Sequence, residues 1–136
     1  MDFQEAKELL LLHSFGHPDI NHPKMERGFL GSLRPYRGLN DENFHEVMQA
    51  LISLAPHFQH ESRVDKEIIS ALWTICELGR AWGIHRDGML RRNNLITTKE
   101  VTRLEHWIET ISYAVFVLLD GGDLETALEP YPQKPG

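Results

Sequence analysis

The sequence predicts an all-α protein: a compact single-domain bundle of about five helices followed by a short C-terminal turn. Three observations carry this expectation. Apolar residues recur at three- and four-residue spacing through successive segments. Capping residues open those segments, and glycine or proline closes them. No segment alternates apolar and polar residues for long enough to argue for a strand.

The first helix is expected to start at Asp2, which can cap it, with Glu5 three residues later. Phe3, Ala6, Leu9, Leu10 and His13 then share a face, and Gly16 and Pro18 mark the stop. A second helix is expected from Asn21, with Pro23 in its first turn, Met25, Phe29, Leu30 and Leu33 on its apolar face, and Pro35 ending it. Asn40 caps a third whose stripe is Phe44, Val47, Met48, Leu51, Leu54 and Ala55, closed or kinked by Pro56. Ser62 opens a fourth, with Asp65 in third position, Val64, Ile68, Ala71, Leu72, Ile75, Gly79 and Trp82 on one face, and Gly83 as its end. Thr97 and Glu100 form a capping box for the fifth, which carries Val101, Leu104, Ile108, Ile111, Val115 and Leu118. Asp123 caps a last turn. Residues 1–129 are read as one helical domain and 130–136 as a frayed tail.

At 136 residues, 41% hydrophobic and 25% charged, the chain has the makeup of an ordinary globular domain. Its one cysteine, Cys76, cannot form an internal disulfide, which fits a reducing compartment. No stretch approaches the ~20 apolar residues of a membrane span, and the apolar run Leu9 to Leu12 follows acids rather than a basic segment. A cytoplasmic location is expected, with no membrane association.

The net charge of −6 argues against general nucleic-acid affinity. Its distribution is uneven. Lys24, Arg27, Arg34 and Arg37 form one basic stretch, and Arg80, Arg86, Arg91, Arg92, Lys99 and Arg103 form another. If the helices alternate in direction, the links holding these stretches emerge at the same end of the bundle. The candidate binding residues are therefore Arg34, Tyr36, Arg37, His85, Arg86, Asp87, Arg91 and Arg92.

The link "GIHRDGMLRRNN" contains His85, Arg86 and Asp87, the order found in a kinase catalytic loop. That loop needs an asparagine five residues after the aspartate to hold magnesium. Arg92 stands there, and Asn93 comes one too late. With no glycine-rich loop and no sheet, kinase chemistry is excluded. The bland expectation is an ordered connection in which Met89, Leu90, Leu95 and Ile96 tuck onto the core.

Eight histidines raise a metal reading, densest at His13, His17, Asp19 and His22. Gly16 separates His13 from His17, so they share no helical face. "ENFH", from Glu42 to His45, has no second Glu-x-x-His unit to complete a di-iron site. "HFQHE", from His57 to Glu61, is expected to be an exposed link. No metal and no cofactor are expected, and Cys76 reads as a buried, inert thiol. Trp73 and Trp107 are expected to fill the core.

The preferred function is non-enzymatic: an interaction or regulatory module that binds another protein or itself. The alternative is a small-ligand or metal-binding domain, an enzyme included, built on the clustered histidines. An exposed Trp73, Trp107 or Tyr36 would favour the first, and a concave pocket lined by histidines and acids the second.

Overall fold

A computed structural model describes residues 1–132 of the chain. It is all-α, with four long helices and three short ones among the described residues. The long helices are α1 (Phe3–His13), α3 (Asp41–His60), α4 (Lys66–Gly79) and α6 (Thr98–Leu119). The short ones are α2 (Pro23–Arg27), α5 (Met89–Arg92) and α7 (Leu124–Ala127). No helix among the described residues is long and apolar enough to cross a membrane.

Capping chemistry fixes the helix starts. Asp2, Asn40 and Asp123 each accept a backbone N–H in the first turn of α1, α3 and α7. At α6 both halves of the capping box form, Glu100 N–H to Thr97 Oγ1 and Thr97 N–H to Glu100 Oε1. The apolar stripes meet in one core, with Leu51, Ile68, Ile75, Leu104, Ile108 and Ile111 all fully buried and Leu72 nearly so.

Side-chain contacts give the helix directions. Phe3 lies by His57 and His13 by Glu46, so α1 runs opposite to α3. Ser112 touches Cys76 while Ile108 lies against Gly79 and Leu104 against Gly83, so α4 runs opposite to α6. Phe44 stacks on Trp107, and Gln59 reaches the Gly122 carbonyl farther along, so α3 and α6 are parallel. The order around the bundle is α1, α3, α6, α4. Consecutive helices α3 and α4 therefore lie diagonally across from each other.

Four expectations are corrected. The second helix ends at Arg27 rather than at Pro35. The amides of Phe29 and Leu30 donate to His13, through its Nδ1 and its carbonyl, instead of to helical carbonyls. Phe29, Leu30 and Leu33 are still buried, but from a non-helical turn. Pro56 does not close α3, which continues to His60. The proline faces solvent, while buried Phe58 anchors the last turn and His57 Nε2 accepts the Asp65 N–H. "HFQHE" is thus largely helix rather than a free link. Asp65, not Ser62, caps α4, accepting from Glu67 and Ile68.

The fourth correction concerns Gly83. A single π-helical turn, Arg80–Ile84, follows α4, and Gly83 lies inside it. A β-carbon there would sit 2.4 Å from Leu104 Cδ2, and one on Gly79 would sit 2.6 Å from Ile108 Cδ1. These glycines let α6 approach closely. Beside the first turns of α3 Tyr131 docks on the bundle, its hydroxyl 2.6 Å from His45 Nδ1 and its ring edge on Phe44. The rest of the sequence-assigned tail, residues 133–136, lies outside the described residues.

Candidate functional site

Three places concentrate chemistry: a basic end, a buried polar network, and an apolar groove. The basic end forms because α3 and α6 both start there while α1 and α4 both finish there. The links before α3 and after α4 consequently meet. Arg34 lies over the Trp82 ring, 5.4 Å from its centre, and Phe15 packs beside the same ring. Tyr36 Oη donates to Glu100 Oε2 at 2.6 Å. Burial, reinforced by the Glu100 carboxylate, pushes the Tyr36 phenol well above its ordinary range. The same bond, together with the Thr97 amide, lowers Glu100.

The remaining candidate residues are turned to water. Arg37, His85, Arg86, Asp87, Arg91 and Arg92 are all exposed. Arg91 donates to the Ile84 carbonyl at 2.9 Å, which closes the loop on itself. Among the described residues none of Arg34, Arg37, Arg86, Arg91 and Arg92 pairs with a carboxylate. Arg103, by contrast, is bound to Asp41 and lies over Trp107.

The second place is the His13 network. The His13 ring is fully buried. Its Nδ1 accepts the Phe29 N–H at 2.8 Å, so Nε2 carries the ring hydrogen and donates to Glu46 Oε1 at 2.9 Å. Lys24 Nζ closes on both Glu46 oxygens at 2.9 and 3.0 Å. Both ring nitrogens are engaged and no solvent reaches them, so this group ties α1, α2 and α3 together rather than moving protons for a substrate. His17 and His22 each accept a backbone N–H of their own turn. Among the described residues no three of the His, Cys, Asp and Glu side chains converge as a metal site.

The His13 hydrogen bond and the Lys24 ammonium hold the Glu46 carboxyl at about 2 against an ordinary 4.5. A depressed folded pKa stabilises the fold above the unfolded value and loses that stabilisation as pH falls toward the folded one. Wild-type stability should therefore drop between about pH 4.5 and 2 more steeply than that of Glu46→Gln. Melting temperatures measured down that range should converge at the acid end; parallel curves would contradict the ion pair.

The third place was not foreseen. A groove of about 290 Å³ runs between α4 and α6. Its floor is Leu72, Cys76, Ser112 and Val115, and its walls are Ile69, Trp73, Phe116 and Leu119. Trp73 is 69% exposed, Phe116 65% and Leu119 44%. Trp73 is thus not a core residue, whereas Trp107, 6% exposed and stacked on Phe44, is one. Burial pushes the Cys76 thiol up, so the groove floor presents a neutral, apolar sulfur. Other hollows, beside α2 and between α1 and α4, are lined mainly by polar residues and short loops. The run from Ala114 to Leu119 held the missed signal: six consecutive apolar residues encircle the helix and exceed what one inward stripe needs.

Comparison with protein-family models, curated proteins and solved structures gives no match to this chain.

Proposed function

We propose that this chain is a protein-interaction module whose docking face is the groove between α4 and α6. The observation that carries the proposal is the exposure of Trp73 and Phe116 on adjoining helices around one apolar floor. Exposed apolar side chains scattered singly are ordinary, but a contiguous aromatic rim over a groove marks an interaction surface. Tryptophan is also enriched among residues that dominate binding energy. No described constellation of nucleophile, base and pocket competes with this. Cytoplasmic location belongs to the same proposal and is supported by the single, buried, free cysteine.

The test is quantitative capture from the native cells by a tagged chain. Proteins retained by the wild type should fall roughly tenfold on the double change Trp73→Glu and Phe116→Glu, with folding checked by circular dichroism. Equal retention by that folded variant would remove the groove from the account.

A second surface is favoured by one observation of its own, the five arginines at the basic end that pair with no described carboxylate. Like charges crowded together repel, and an acidic partner surface relieves them. An acidic protein suits this end better than nucleic acid, given the net charge of −6 on the whole chain. Arg91→Glu with Arg92→Glu should lower stability by no more than about 1.5 kcal/mol, because both side chains are exposed and only the Arg91 bond to the Ile84 carbonyl is lost. Any binding lost in that variant should also weaken in wild type as salt rises and the Debye length shrinks from about 10 Å at 0.1 M to 3 Å at 1 M. Unfolding of the variant would show instead that the arginines hold the loop.

A further inference from the structure

We infer that the α4–α6 groove binds a small amphiphile, a straight-chain fatty carboxylate whose head meets Arg80 and whose tail runs toward Ile69 and Leu119. This goes beyond protein docking, because ligand and protein would compete for Trp73 and Phe116. The observation that carries it is the uneven polarity of the lining. Among the described lining residues Glu77 and Arg80 alone are charged, and Ser112 supplies the one hydroxyl. The register of the two helices gathers these three at one end. Ser112 lies against Cys76 and Ile108 against Gly79, so Phe116 stands at the height of Leu72 and Leu119 at that of Ile69. Toward that second end the lining is Ile69, Leu72, Trp73, Val115, Phe116 and Leu119, with no charge among them. A groove polar at one end and apolar along the rest fits an amphiphile laid lengthwise.

The cation sets the sign of the head. Arg80 is half-buried, donates to Ser112 Oγ at 3.1 Å across the groove, and pairs with no carboxylate among the described residues. A guanidinium presents a planar fork of five donors, so the Ser112 bond leaves donors free for a carboxylate. Such a bond is stronger beside an apolar floor than in open water. Glu77 lies one turn before Arg80 on α4, but it is exposed, and water screens its repulsion of the head.

Length and volume set the tail. From Arg80 back to Ile69 α4 rises about 16 Å, eleven residues at 1.5 Å each, which an extended chain of roughly twelve carbons spans. The groove's volume of about 290 Å³ lies at the low end for small-molecule sites, roughly 300–1,000 Å³. It suits one acyl chain rather than the paired chains of a bilayer lipid.

The experiment is titration of the purified full chain with sodium dodecanoate below its micelle concentration, read by calorimetry and tryptophan emission. One dodecanoate should bind per chain with a Kd below roughly 100 μM, the scale for a ligand of this size. Emission should shift to the blue as Trp73 loses water, and Trp73→Phe should remove that shift. Dodecanol has the same tail and should bind roughly tenfold more weakly, a difference that Arg80→Met should abolish. Glu77→Gln, an exposed change, should tighten dodecanoate about twofold by removing a like charge, and it decides the matter if Arg80→Met does not fold. Equal binding of dodecanol and dodecanoate, or tighter binding of dodecyltrimethylammonium, overturns the pairing with Arg80. Unchanged or weaker binding in Glu77→Gln does the same. Absence of saturable dodecanoate binding overturns the ligand altogether, while the separate capture result with Trp73→Glu and Phe116→Glu still decides protein docking.

Discussion

Replacing His13 with alanine is expected to destabilise the protein by about 3–5 kcal/mol, the range for emptying a buried site and stranding its hydrogen-bond partners. Three losses coincide. The fully buried ring leaves a cavity at the junction of α1, α3 and the turn after α2. The Phe29 N–H, held in a buried segment, loses its acceptor. Glu46 keeps Lys24 but loses the bond that contributes most to its lowered pKa. Urea unfolding measures the change, and a loss below about 1 kcal/mol would show that water or a rearranged turn replaces the ring.

The same residue shows where the sequence stops being informative. Asp2, Asn40, Thr97 with Glu100, and Asp123 cap the helices they were expected to cap, because a cap is a local contact between neighbours in sequence. The stripes of α1, α3, α4 and α6 were legible for the same reason, except at their starts, where Phe3 and Val64 are exposed. The length of α2 was not, since it is decided by His13 reaching sixteen residues ahead to Phe29. Pro56 stays within α3 because Phe58 and His57 find partners on other elements, which a local rule cannot see.

The candidate site divides in the same way. That the two basic links share one end followed from alternating helix directions, and the Arg34–Trp82 and Tyr36–Glu100 contacts lie where that alternation puts them. The groove depends on the order of helices around the bundle. With α3 and α4 diagonal, the α4–α6 side is left without a covering helix. Trp73 and Phe116 then face solvent rather than a neighbour. Nothing local to either residue encodes that order.

Gly88→Val is expected to destabilise the protein by about 3 kcal/mol or more, at the upper end of the cost of overpacking. The glycine caps α5 in an ordinary extended conformation, so left-handed backbone is not the reason for it. Space is. A β-carbon would lie 2.3 Å from the Ala81 carbonyl oxygen, 3.0 Å from that of His85 and 3.1 Å from that of Trp82. These are backbone atoms of the π-helical turn and its cap, and they cannot swing aside as a side-chain tip can. The clash should push the loop carrying Arg86, Arg91 and Arg92 away from the bundle and expose Leu90. Thermal unfolding with hydrogen exchange along the loop checks it. An unchanged melting temperature would mean that the turn yields easily and the loop is not fixed by this approach.

The most direct test of the groove is a photo-crosslinking amino acid at position 73, compared in living cells with the same residue at position 91. A discrete protein adduct is expected from position 73, either of twice the chain mass or with another protein, that disappears on Phe116→Glu. An adduct from position 91 with none from position 73 would contradict it and move the docking face to the basic end.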